Sequence, residues 1–520
     1  MSIKDSRIGK SIKNAKYNVV FLTINIFIAF FSRKIFIDSL GTQFIGLTST
    51  LQSFLGFLNL AELGVATAIG VTLYKPLAQK DIKSVGEIMS VMGFLYRRIG
   101  IFILICGIIL SIFLPLIFEK EQISLYLIYF AYFVFLGSSL INYFINYRQV
   151  LFGADQRSYE NTKYLQSTNI IKLLIQMAIA HYTQNVYLWV AIEMLFSWLF
   201  CVILNIRIRK IYPWLKCNIK IGKEKIADYP IVSRYVKQLF IHKISALVSS
   251  QLSPLLIFAY VSLNMVTFYS NYMTVIGKLS LFVNAILGST AASVGNFIAD
   301  KTKDISDIIS LYKEMLAIRF FIAGFFVFMI YLLIDPFVML WLGKQYLLPN
   351  TILVFIIIDV FIQQYREATD QFIQAYGLFQ DIWASLVETL LFITFSIIGG
   401  SFYGLLGILG AGILTKILIA GLWKPYFLFS QGFHISVFRY WRLFMLHVCI
   451  IVGTILLSLK IYNVLMIEFI DNWIQWISAA LISASIYLFI IILAMFLFVP
   501  DFKRVTFKLI RYYKNCNIHF

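Results

Sequence analysis

The chain has 520 residues, 60% hydrophobic and 13% charged, with a mean hydropathy of +0.83, a balance that excludes a soluble globular protein. The formal charge of +19 does not point to nucleic acid, because the basic residues collect in one set of loops between apolar stretches and membrane topology accounts for them. Cys106, Cys201, Cys217, Cys449 and Cys516 show no metal-like spacing, and four lie in or near apolar or cytoplasmic stretches where thiols stay reduced, so no disulfide framework and no metal site are expected.

A run of about 20 apolar residues crosses the hydrocarbon core of a bilayer. Hydropathy alone predicts fourteen such helices, at 17–37, 44–73, 94–117, 124–147, 160–180, 187–206, 238–258, 265–292, 316–339, 351–373, 381–398, 405–423, 443–459 and 474–499. Helix 1 follows a basic tail, but Arg33 and Lys34 interrupt its run and no small-residue cleavage pattern follows, so it reads as an uncleaved span. Segment 76–92, with Leu77, Ile82, Val85, Ile88 and Met89 among charges, reads as a short interfacial helix. The loop from Arg207 to Lys237 is the longest cytoplasmic connection, with nine basic residues; it is either an anchor to anionic headgroups or a docking surface for a partner enzyme. At the start of the twelfth stretch Gly404, just before it, and Gly407, Gly410 and Gly412 within it favour close helix packing over phosphate binding.

The alternation of charge sets orientation. The two tails and alternate loops hold 34 of the 44 lysines and arginines, and the other seven loops hold only Lys120, Lys344 and Lys460. Positive charge stays on the cytoplasmic side, so both termini of a multi-pass membrane protein are expected to face the cytoplasm. A shift of about 222 residues lays one half of the chain on the other. It puts 94–117 on 316–339 and 160–180 on 382–402, and Leu151-Phe152-Gly153-Ala154 falls on Phe372-Ile373-Gln374-Ala375. An even number of spans per repeat leaves both copies in the same orientation, related by a pseudo-twofold axis along the membrane normal. The expected fold class is therefore all-α and integral to the membrane. It has an N-lobe at 1–215, a C-lobe at 216–430, each of six helices, and an extra helix pair with a basic cytoplasmic tail at 431–520.

Charge inside a span costs about 2.5–3.5 kcal/mol at the bilayer centre, so each instance needs a reason. Helix 10 is the densest case: Asp359, Gln363, Arg366, Asp370 and Gln374 share one face, with Gln364, Glu367 and Gln371 beside them. Arg366 and Asp370 are spaced to pair. Helix 4 carries Asn142, Asn146 and Gln149, ending in Arg148. Either stripe can line a wet cavity or glue helices together by hydrogen bonds. Arg33, Lys34, Lys172 and Lys278 lie within spans, whereas Lys243 and Lys416 lie nearer the cytoplasmic side and are expected to snorkel. Basic groups deep in a bundle suit a phosphate or diphosphate. On helix 2, Gln52, Asn59 and Glu62 share a face, and Glu62 is either an ion-coupling carboxylate or a structural partner for a cation.

Enzymatic signals are weak. Gly9-Lys10-Ser11 imitates the end of a Walker A loop, but Lys4 stands where its first glycine belongs. His181, His242, His434, His447 and His519 have no ligand spacing. No outer loop exceeds about 15 residues, too little to build an extracytoplasmic active site. The chain is expected not to be an enzyme and to need no cofactor beyond a proton or sodium gradient.

Three runs then carry a resemblance: Gly41-Thr-Gln-Phe-Ile-Gly46-Leu47, Leu60-Ala-Glu-Leu-Gly64-Val-Ala-Thr-Ala-Ile-Gly70 with Leu73-Tyr-Lys-Pro-Leu-Ala78, and Ala154-Asp-Gln-Arg157. They resemble Wzx-type polysaccharide flippases of the multidrug/oligosaccharidyl-lipid/polysaccharide exporter superfamily, which is built from two six-helix lobes. The resemblance implies export of undecaprenyl-diphosphate-linked oligosaccharide for O-antigen, capsule or exopolysaccharide, alongside a polymerase and other polysaccharide-assembly proteins. Fourteen spans also resemble lipid-linked peptidoglycan-precursor flippases, whose extra pair borders a lipid groove. On this reading Arg33, Lys172, Lys278 and Arg366 neutralise the anion, and Asn142, Asn146, Gln363 and Gln371 contact sugar hydroxyls. Glu62, Asp359 or Asp370 couples an ion. A cation-coupled drug exporter of the same superfamily and a polysaccharide polymerase or ligase are the alternatives.

Overall fold

The structure, a computed structural model, describes residues 7–62, 64–230, 250–287, 304–378, 380–465 and 470–516, with single positions at 232, 236, 248, 294, 295, 297 and 298. Arg234, Lys237, His242, Lys243, His519 and the first part of the expected helix 238–258 lie outside the described residues. Helices dominate, and no strand occurs among the described residues. The chain divides into two compact units, Met1–Thr267 and Phe268–Phe520.

Unit 1 contains α1 (Arg7–Leu40), α2 (Thr42–Leu58), α3 (Val65–Gln79), α4 (Ile82–Ile117), α5 (Leu125–Phe144), α6 (Val150–Ala154), α7 (Ser158–Thr183), α8 (Val186–Ile211) and α9 (Ile219–Lys225). α1 packs along α7, and α5 lies between α4 and α8. One face of α4 presents Phe102, Ile105, Ile109, Ile112 and Leu116 at steps of three and four, each 51–71% exposed. A soluble helix would bury such a stripe; here lipid covers it.

Two expectations for this unit need correction. Segment 76–92 is not a separate interfacial helix. α3 ends at Gln79, and α4 starts at Ile82 with Asp81 as its cap, accepting from the Ser84 amide at 3.1 Å. The Ser84 hydroxyl and amide hold the Asp81 carboxyl below its usual range. The 36 residues of α4 reach about 54 Å, so its first turns extend beyond a core of about 30 Å. The stretch 44–73 is also not one helix. It breaks into a 3₁₀ turn at Asn59–Glu62, and Gly64 turns through φ 89°, where a side chain would be strained.

Unit 2 begins within α10 (Leu263–Leu287). It continues through α11 (Ile305–Trp341), α12 (Asn350–Ala375), α13 (Ile382–Lys416), α14 (Lys424–Phe427), α15 (Phe438–Leu465), α16 (Trp473–Phe498) and α17 (Pro500–Cys516). Its core runs from Tyr312, Phe320 and Phe328 of α11 through Tyr365 and Phe372 of α12 to Tyr440 of α15 and Tyr487 of α16. Phe328 and Tyr487 stack with ring centres 4.5 Å apart. The last helices therefore share one apolar core with the rest of this unit.

Eight helices among the described residues are long and apolar enough to cross a membrane, so this is a multi-pass membrane protein. One of them, Trp383–Gly432, has 50 residues and would measure about 75 Å if straight. It breaks at Gly404, whose φ of 53° and ψ of −129° suit glycine. The two arms then approach so closely at Gly399 and Gly407 that a Cβ on either would collide with the other's carbonyl. That run is a hairpin of two arms.

Candidate functional site

In unit 1 the break between α2 and α3 sets a polar group inside the bundle. Asn59 ends α2, and its side-chain oxygen accepts from Tyr143 Oη at 2.9 Å and Ser139 Oγ at 3.2 Å, both on α5. Glu62, at the end of the 3₁₀ turn, accepts from the hydroxyl of Tyr96 on α4. Its partner is thus a phenol, not a cation. Interrupted membrane helices recur where transporters bind ions and substrates, because the freed backbone and side chains there face a polar environment.

A second group joins α7 and α8. Lys172 Nζ lies 2.6 Å from Glu193 Oε1, and Gln176 Nε2 donates to Glu193 Oε2 at 3.3 Å and to the Trp189 carbonyl at 3.1 Å. Asn146 is fully buried beyond the end of α5; it donates to Asn142 at 3.1 Å and accepts from Asn205 of α8 at 3.3 Å. That geometry is helix glue. Asn142 itself is exposed. Arg33 Nη2 reaches the Thr267 carbonyl at 3.4 Å, and Thr267 Oγ1 donates to the Thr42 carbonyl at 2.7 Å.

Unit 2 holds a denser network, built on the polar face of α12. Asp370 takes Arg366 Nε at 2.9 Å through one carboxylate oxygen and Lys424 Nζ at 2.9 Å through the other. Arg366 Nη1 also lies 3.5 Å from Glu388 Oε1 on α13. Two turns earlier, Asp359 pairs with Lys416 and accepts from Gln363 Nε2 at 2.7 Å. Three cations therefore balance three carboxylates, each side chain 12–24% exposed, so the network carries no net charge in a low-dielectric setting.

The two lysines reach α12 because the second arm of the hairpin changes its winding. Ile417–Trp423, between them, is a π-helix. Eight residues of α-helix would turn Lys424 about 80° away from Lys416. The wider π turn advances each residue less, and seven such residues take back roughly 100°. Both amines then fall on the face toward Asp359 and Asp370. Lys416, expected to snorkel, is held by Asp359 instead, because a carboxylate in the bundle competes for it better than distant headgroups do.

The i, i+4 spacing of Arg366 and Asp370 was legible in the sequence. Glu193, the lone carboxylate of the apolar stretch 187–206, and Glu388, mid-way along the stretch 381–398, were missed as partners. They carry the same signal as Lys172, since a buried charge demands a counter-charge. Lys424 and Arg319 were missed because they stand at stretch ends; Arg319 is buried, 3% exposed, with one guanidinium nitrogen unbonded. Gln371 is buried and Gln363 exposed on α12. Lys278, within α10, makes no ion pair among the described residues. No group of three His, Cys, Asp or Glu among the described residues is arranged to hold a metal.

No protein-family model and no curated protein matches this chain. Solved structures do. The lipid II flippase MurJ in an inward closed conformation aligns at a TM-score of 0.65, over 91% of this chain and 97% of that one, with 15% identity. An inward-facing multidrug resistance MATE family transporter of the MOP superfamily aligns at 0.58, over 78% of this chain and 94% of that one, with 12% identity. The Vibrio cholerae MATE transporter VcmN aligns at 0.52, over 82% and 99%, with 13% identity. At such identities the likeness is one of fold alone.

Proposed function

We propose that this protein is a flippase that carries an undecaprenyl-diphosphate-linked oligosaccharide from the cytoplasmic to the periplasmic leaflet. The observation that carries the reading is the fold shared with a lipid II flippase across 91% of the chain. The drug-transporter likenesses cover 78% and 82%, a difference about the size of the helix pair α15 and α16. We read the whole as fourteen spans, two six-helix lobes and that pair, in the inner membrane; the alternation of basic loops supports cytoplasmic termini.

The chemistry asks for no covalent step. The polyprenyl chain stays in lipid while the diphosphate and sugar cross a hydrated path, and alternating access moves them. Lys278 and Arg33 are the proposed contacts for the diphosphate, as charge-assisted donors. Asn142 and Gln363, both exposed, are the proposed sugar contacts. Lys172 and Arg366, each held by a carboxylate, set helix positions. Glu62 in the helix break is the proposed ion-coupling carboxylate, with Asp359 as a carrier if Lys416 releases it and Asp370 if both Arg366 and Lys424 do.

The pairing also weighs against a drug exporter. Asp359, Asp370, Glu388 and Glu193 are each compensated by lysine or arginine, which leaves them no charge to offer an organic cation. The test is a proteoliposome assay with a defined lipid-linked glycan, with and without proton or sodium gradients. Flipping that depends on the protein is expected. Transport of organic cations without flipping would refute the proposal.

A further inference from the structure

Unit 1 holds a cavity of about 440 Å³ lined by Gly93, Arg97 and Ile101 of α4, Phe144 at the end of α5 and Ile219 at the start of α9. Its walls are set by close packing. A side chain on Gly93 would press on the Tyr147 ring at about 3.1 Å, and Gly222 of α9 rests against the Ser90 carbonyl of α4. The amide of Asn218 donates to Ser90 Oγ at 3.0 Å, which fixes Ile219 at the rim.

Arg97 is exposed and makes no hydrogen bond or ion pair among the described residues. Its neighbour Arg98 lies over the Phe94 ring, 4.6 Å from its centre, and does not line the cavity. From Arg97 to the end of α4 at Ile117 is about 30 Å, the thickness of the hydrocarbon core. Arg97 therefore stands at headgroup depth, with Ile101 one turn further into the apolar layer. A guanidinium with five free donors, above an apolar wall and below a membrane surface, matches an amphiphile whose polar end is a phosphate. The space accommodates a phosphate and the first carbons of its chain.

We propose that this cavity binds the phosphate headgroup of a membrane lipid, with Arg97 on the phosphate and Ile101, Phe144 and Ile219 on the proximal chain. In the orientation given under the proposed function the lipid belongs to the cytoplasmic leaflet; the site itself does not rest on that reading. Because α9 belongs to the connection that follows α8, an occupant would sit against the start of the link to the rest of the chain.

The test is lipid binding to the purified full-length protein, read as mass-resolved adducts. The probes are undecaprenyl phosphate, phosphatidylglycerol and diacylglycerol, with inorganic diphosphate as competitor. Binding of at least one phosphate lipid, absent for diacylglycerol, is expected, and which lipid binds tells carrier from bulk phospholipid. Arg97→Gln is expected to weaken it about tenfold and Arg98→Gln to leave it unchanged. Ile219→Glu, on a short surface helix, gives a second loss through like-charge repulsion. Equal loss in the two arginine variants, no dependence on Arg97, or displacement of lipid by equimolar inorganic diphosphate would each overturn the site. The readout is binding alone, so its failure is separable from a failure of flipping.

Discussion

Asp370→Asn is the sharpest perturbation of the charge network. Asp370 holds Arg366 and Lys424 at 2.9 Å each, and the three side chains are 16%, 24% and 17% exposed. Removing one member of a buried pair costs about 3–5 kcal/mol, because the remaining charge keeps its desolvation penalty without its partner. Partial exposure screens some of this, so about 2–4 kcal/mol is expected. Arg366 retains Glu388 at 3.5 Å, and Lys424 is the residue left stranded. At roughly 2–4 °C per kcal/mol for a unit of this size, the apparent Tm should fall by about 4–16 °C. Removing the stranded cation as well, in Asp370→Asn with Lys424→Gln, should return at least about 1.5 kcal/mol of that loss. The assay is the monodisperse fraction surviving a heat series in detergent, for wild type, both single variants and the double. An unchanged Tm in Asp370→Asn, or strict additivity in the double variant, would refute the argument that compensation holds α12 to the hairpin.

Three further outcomes follow from other contacts. Lys172→Met should destabilise unit 1 by about 2–3 kcal/mol by orphaning Glu193, and adding Glu193→Gln should recover part of it, checked by the same heat series. Gly407→Val should sharply reduce monodisperse protein, since its Cβ would overlap the Gly399 carbonyl and over-packing at backbone costs about 3 kcal/mol or more; normal yield would show that the hairpin arms can separate. Tyr229, in the segment after α9, donates to Glu87 at 3.1 Å, and burial with that bond pushes its phenol up to about 12. A raised phenol stabilises this tie below the ordinary value near 10 and loses that contribution as pH rises through about 12. The ultraviolet titration of wild type minus Tyr229→Phe should therefore show one phenol ionising near 12, and a difference centred near 10 would contradict the bond.

Much of the architecture could be read from local pattern, because spanning depends on the length and apolarity of a single segment and owes nothing to its neighbours. The all-helical, multi-pass character follows that way, as does the Arg366–Asp370 pair, which helical geometry brings together within one turn. Helix breaks were partly hidden: Gly64 and Gly404 stood in the sequence, yet which glycine of several takes a positive φ depends on the packing on either side. The charge partners were hidden altogether. Lys172 and Glu193 are 21 residues apart, Arg366 and Glu388 22, and Asp359 and Lys416 57, so helical periodicity says nothing of their meeting. Composition could state only that each buried charge needs an opposite one. Three-dimensional packing, with the π winding of Ile417–Trp423 rotating two lysines onto one face, selected which opposite charge it meets, because Coulomb attraction in a low-dielectric bundle acts through space and not along the chain.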